Sequence, residues 1–158
     1  MVRGEPFLVG VVYMCPFTIF LYCNYGVLPA WALLIMAPES EWTKRLVHSA
    51  FVPLLLGAVY VAAFAINPDS PEGAGFSSLE GVMALFTGPW IVLGSWVHYL
   101  VFDLFVGAWE VRDARRHGIR HLLVVPCLIF TLLLGPVGLG MYLLLRAAVT
   151  RDLMLEET

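Results

Sequence analysis

The run from Phe7 to Ala37 carries no formal charge. At about thirty residues it exceeds the ~20 that a helix needs to cross a bilayer. A chain holding such a run must bury it in lipid or in an unusually large core. Three further apolar stretches settle the choice. They are Val47 to Ile66, Trp90 to Trp109, and His121 to about Leu145. In a chain of 158 residues, 60% apolar and only 13% charged, one small core cannot hide that much apolar surface. The sequence predicts an all-α fold. It is read as one integral membrane domain over residues 1–158, a bundle of four transmembrane helices spanning about 7–37, 47–66, 89–110 and 121–146.

Pro16 and Pro29 lie within the first run and predict a kink or break there. The turn-rich linker Asn67 to Gly73 ends the second span. Ser77 and Glu80 have capping-box spacing and open a segment that Gly88-Pro89 stops at Thr87. That segment is too short to span and reads as an interfacial helix between the second and third spans.

Lys44, Arg45, Arg112, Arg115, Arg116 and Arg120 fall in the linkers after the first and third spans. The positive-inside rule puts both linkers in the cytoplasm and both termini outside. A signal peptide would show a shorter apolar core and a cleavage site, so the first run is read as a retained span. No Arg- and Ser-rich transit segment opens the sequence, which reads as a bacterial inner-membrane protein. The net charge of −3 and the lack of a dense basic patch argue against nucleic acid. Cys15, Cys23 and Cys127 sit in apolar runs without a C-x-x-C pair and read as free thiols.

Asp103 is the one formally charged residue deep inside a span, and intramembrane carboxylates usually face the bundle and mark function. Wound at ~100° per residue from His98, the third span gathers Ser95, Tyr99, Glu110 and Asp103 on one arc. Leu93, Val97, Leu100, Val101, Leu104 and Ala108 take the other, expected to face lipid. His98 and Asp103 flank the polar arc, with Phe102 and Val106 between them to cover an apolar ligand. Buried together, an imidazole and a carboxyl form an acid–base pair; equally, they stitch helices together by hydrogen bonds. Asn24, midway along the first span, is placed to reach either residue. Tyr22 and Tyr25 pack or wall the pocket. Arg120 and His121 open the fourth span, where Arg120 either neutralises a nearby carboxylate or anchors at the headgroups. Arg115, Arg116 and His117 read as a solvated basic loop. The histidines are too scattered for a histidine-rich di-iron site, a metal on His98, Asp103 and His121 would need ligands at differing depths, and no Walker, G-x-G-x-x-G or G-x-S-x-G pattern occurs.

The stretch Trp96-Val97-His98-Tyr99-Leu100-Val101-Phe102-Asp103-Leu104-Phe105-Val106-Gly107 resembles the third-span signature of the plant neoxanthin synthase family, the abscisic acid-deficient type. Ser78-Leu79-Glu80-Gly81 and Leu85-Phe86 before it, and Arg120-His121 and Gly135-Pro136-Val137-Gly138 after it, agree with the family in order. The resemblance implies a membrane protein of xanthophyll metabolism. It implies an isomerase that opens a 5,6-epoxide to an allene without net redox change and without a cofactor. Asp103 and His98 would be its catalytic acid and base. Asn24, Tyr22, Ser95, Tyr99, Phe102, Glu110, Arg120 and His121 would surround the substrate, and ring faces would shield the cation. The expected partners are a lipophilic carotenoid or isoprenoid ligand and the bilayer, with a homo-oligomer or a carotenoid enzyme as further candidates. A non-enzymatic carotenoid- or lipid-binding subunit is the alternative, and a proton-coupled transporter is a third reading.

Overall fold

The computed structural model describes residues 15–66, 71–151 and 154. Among these, every regular element is a helix. In chain order they are α1 (Pro16–Gly26), α2 (Leu28–Met36), α3 (Glu41–Leu46), α4 (Phe51–Ile66), α5 (Leu79–Leu85), α6 (Pro89–Arg116), α7 (His121–Leu134) and α8 (Pro136–Thr150). Among the described residues, three stretches are long and apolar enough to cross a membrane: Pro16–Met36, Glu41–Ala65 and Pro89–Arg116. Residues 1–14 and 67–70, which carry the start of the first expected span and most of the linker after the second, lie outside the described residues. The chain packs as two compact units. One holds the chain up to Gly26 with Leu56–His98, and the other holds Val27–Leu55 with Tyr99–Thr158.

In the first unit, Gly94 on α6 lies under the Phe64 ring, 2.5 Å from where a Cβ would stand. The short helix α5 is capped by Ser78, whose Oγ accepts from the Gly81 N–H at 3.1 Å. The cap is therefore Ser78 rather than Ser77, because Gly81 is the third helical residue and its N–H lacks an intrahelical acceptor.

In the second unit, α6 is surrounded on several sides. Gly107 receives the Trp31 ring of α2, 2.8 Å from a notional Cβ. Leu104 and Ala108 line a recess with the residues leading into α4. Leu100, Leu104 and Ala108 are buried here, and Leu93 and Val97 are buried in the first unit. The arc expected to face lipid is thus largely packed against protein, and Phe102 and Phe105 are exposed instead. A single-face reading fails for a helix with neighbours on more than one side.

The fourth apolar stretch is not one helix. It breaks at Gly135, at φ +34°, ψ −87°, and Pro136 starts α8. The polar contacts give its direction. Glu110 holds Thr131, whereas Asp113, one turn further along α6, holds Tyr142 and Arg146. A continuous helix would part Thr131 from Tyr142 by roughly 16 Å, so α8 must fold back along α7. The hairpin closes tightly: a Cβ on Gly138 would collide with the Thr131 backbone nitrogen and hydroxyl. Each arm, of 14 and 15 residues, is about 21–23 Å long, short of the ~30 Å hydrocarbon core.

Gly138→Ala is expected to destabilise the protein by about 1–3 kcal/mol through overpacking. Gly140→Ala, where nothing lies within 4 Å of the added carbon, is expected to be neutral or to stabilise by up to ~1 kcal/mol, since alanine is the better helix former. Thermal unfolding of the two variants in detergent measures the opposite signs.

Candidate functional site

The site is built on the second half of α6. Tyr99, Asp103, Val106, Glu110, Asp113 and His117 recur at alternating spacings of three and four residues. They therefore fall within a band roughly 80° wide. That band faces the α7–α8 hairpin, and three carboxylates meet it at successive depths.

Asp113, at the polar end, is fully engaged. Its Oδ2 accepts from the Tyr142 hydroxyl at 2.6 Å and from Arg146 Nε at 2.9 Å. The two charged side chains are only 4–5% exposed. Arg146 also donates to the Met154 carbonyl at 2.7 Å and to His117 Nε2 at 3.2 Å. A guanidinium only donates, so Nε2 accepts and the ring proton sits on Nδ1, 2.9 Å from the Asp113 carbonyl. Trp109 packs edge-on against Tyr142 at 5.5 Å.

Glu110 is fully buried. Its Oε1 accepts from the Thr131 hydroxyl at 2.8 Å, and its Oε2 has no partner among the described residues. Asp103, two turns earlier, reaches the tip of the hairpin. Its Oδ1 is 2.7 Å from where a Cβ on Gly135 would stand, so only glycine leaves room at that turn. Tyr99, whose hydroxyl donates to the Leu132 carbonyl at 3.3 Å, is its neighbour on the stripe. Asp103 Oδ2 is buried with no partner among the described residues. No ion pair there joins Asp103 or Glu110.

The residues singled out by sequence divide between the units. Asp103, Tyr99 and Glu110 share the stripe just described. His98 is exposed and belongs to the first unit, where its ring lies 6.1 Å from that of Tyr60. Asn24, also in the first unit, accepts from Trp96 Nε1 at 3.2 Å; its partner is an indole, not a titrating group. Ser95 is half-buried, Tyr22 is 70% exposed and Phe102 is 56% exposed. His121 Nε2 donates to the Ile35 carbonyl at 2.9 Å, which ties the start of α7 to α2. Arg120 is exposed at the N-terminal boundary of α7, and the cation that neutralises Asp113 is Arg146.

Sequence reasoning missed Asp113, His117, Thr131, Tyr142 and Arg146. The three- and four-residue spacing that continues past Glu110 was the available signal for the first two. No group of three or more His, Cys, Asp or Glu suited to a metal occurs among the described residues.

Removing one partner of a buried ion pair strands the other. Arg146→Met is expected to cost about 3–5 kcal/mol, and Asp113→Asn with Arg146→Met is expected to recover most of it. Chemical or thermal unfolding of the two single variants and the double variant measures the coupling.

Residues 18–142, well over half of the chain and including every residue of the stripe, match the family model described as ABA DEFICIENT 4-like. Among curated proteins, the chain is 29% identical over 145 residues to Protein ABA DEFICIENT 4, chloroplastic, of Arabidopsis thaliana, covering 85% of this chain and 63% of that protein. The chain thus spans somewhat less than two thirds of that relative's length. No solved structure matches it. On the extent of the family match and the agreement of the relative, the chain belongs to the ABA DEFICIENT 4-like family.

Proposed function

We propose that the protein is a membrane-embedded isomerase of a carotenoid or related isoprenoid lipid, with Asp103 as its proton donor. The observation that carries this reading is the state of Asp103. It lies halfway along an apolar helix, beside Tyr99, with one oxygen unengaged and no cation among the described residues. Structural carboxylates are saturated with partners, as Asp113 is, whereas a proton donor must keep an oxygen available. Resemblance to the neoxanthin synthase family supplies the substrate class. Opening a 5,6-epoxide needs a proton on the ring oxygen as the C–O bond breaks. Loss of a carbon-bound proton beside the resulting cation then forms the allene. One proton enters and one leaves, so no redox partner is required. An acid that has given up its proton is itself a base, and Asp103 supplies the first step and can accept the proton of the second. His98 is the other base suggested by sequence.

A non-enzymatic binding role is favoured by a different observation. The first unit holds an apolar recess of about 430 Å³ among Pro16, Phe17, Phe20, Pro89, Val92 and Leu93, with no titratable group among the described residues of its wall. Co-expression in a host that makes epoxy-carotenoids, followed by pigment analysis, separates the readings. Wild type is expected to convert the epoxide, and Asp103→Asn to lose about 10²-fold or more of the rate while still co-purifying with it. Full turnover by Asp103→Asn would end the acid role; His98→Gln tests the second group independently. Pigment bound unchanged by both wild type and variant would make the protein a binding subunit.

The hairpin also bears on topology. We infer three spans followed by a re-entrant pair, α7 and α8, that enters and leaves on the same side. Lys44, Arg45, Arg112, Arg115, Arg116, Arg120, Arg146 and Arg151, eight of the nine basic residues, then share the cytoplasmic side with the C-terminus. Contacts of Arg112 with His48 and of Arg115 with Glu39 support one polar end. A green fluorescent protein fused after Thr158 is expected to fluoresce, and alkaline phosphatase fused there to be inactive. The reverse would restore four full spans.

A further inference from the structure

We propose that the polar end of the second unit is a binding site for an anionic phospholipid, with Arg112 between a basic recess for the phosphate and an apolar recess for the chain. The inference rests on the membrane reading but not on catalysis. Two cavities meet at Arg112. One, of about 340 Å³, is walled by Arg112, Arg115 and Arg116. These side chains lie at i, i+3 and i+4 on α6 and so share a face. The other, of about 250 Å³, has Pro53, Leu104 and Phe105 in its apolar wall and His48, Ser49 and Arg112 as its polar edge.

The groups at that edge are donors. Arg112 Nη1 lies 3.1 Å from His48 Nδ1, and a guanidinium cannot accept, so Nδ1 is the acceptor and the neutral ring carries its proton on Nε2. That Nε2–H is shut away from solvent with no acceptor among the described residues. The imidazole therefore adds a donor without cancelling the charge of Arg112. Asp113, next to Arg112 in the chain, is taken up by Arg146. Guanidinium forks match phosphate oxygens in geometry and charge. Basic residues at the end of a spanning helix sit at the depth of lipid headgroups, their stems along apolar surface. A free phosphate would use the basic recess alone. The apolar recess that shares Arg112 is what selects a ligand with a chain attached.

The test uses the full chain in neutral detergent. Dioleoyl phosphatidylglycerol, dioleoyl phosphatidylcholine or inorganic phosphate is added, with lipid retention read by native mass spectrometry and stability by thermal unfolding. Phosphatidylglycerol is expected to bind at least ten-fold more tightly than phosphatidylcholine and to raise the unfolding midpoint, with inorganic phosphate giving no comparable shift. Arg112→Gln with Arg115→Gln is expected to remove the preference, and Lys44→Gln with Arg45→Gln to preserve it. Arg116→Gln, at an exposed position, is expected to weaken it several-fold and serves where the double variant fails to fold. Equal retention of the two lipids, a preference that survives loss of the arginines, or stabilisation by phosphate equal to that by phosphatidylglycerol would each overturn the proposal.

Discussion

The buried pair of Asp113 and Arg146 fixes the second unit. Taking two charges out of water costs several kcal/mol per ion, and the attraction between them offsets this only when every remaining donor and acceptor is used. Here nearly all are. The carboxylate also accepts from Tyr142, and the guanidinium also reaches the Met154 carbonyl and His117. A pair this well satisfied cannot slide by a turn without exposing charge to an apolar interior, so it sets the register of α8 on α6. With that register set and α7 tethered to α2 through His121, the hairpin has little freedom in where its tip falls. The tip falls at Asp103.

Glycine makes the close approaches that such packing requires. In lipid there is little hydrophobic gain from bringing two helices together, and van der Waals contact between small residues carries more of the association. Gly107 admits the Trp31 ring, Gly138 lets α8 press onto α7 at Thr131, and Gly135 clears the space beside the Asp103 carboxyl. The positive φ at Gly135 does two jobs. It turns the chain, and the missing Cβ keeps the turn from displacing the carboxyl.

Much of this was legible in the sequence, and the unread part has physical causes. The uncharged runs set the class, and Pro29 foretold the break that separates α1 from α2. Asp103, Tyr99 and Glu110 were placed on one arc by helical periodicity alone. The last apolar stretch was misjudged because a run long enough to span is also long enough to fold back on itself. Gly135-Pro136 marked the break, yet hydropathy is blind to a turn made of apolar residues. Asp113 and His117 fall where charge usually marks the end of a span; here α6 continues to Arg116, and these two side chains face protein. Arg146 carries no local mark of its partner. Its carboxylate lies 33 positions earlier, and no local pattern reports a contact that depends on the fold-back.

The three carboxylates of the stripe differ in one respect that bears on function. Asp113 has a cation and a hydroxyl, Glu110 has one hydroxyl and a spare oxygen, and Asp103 has Tyr99 and a spare oxygen. Satisfaction is therefore greatest at the polar end of α6. An unsatisfied buried polar group destabilises a fold and needs a reason to be kept. The helix is pinned firmly at Asp113, where stability is all that a buried pair can provide. That anchorage holds the less engaged carboxyl of Asp103 in a fixed place against the glycine turn. A proton donor working without a cofactor would need this combination of a rigid mount and an oxygen left available, and the role proposed for Asp103 rests on it.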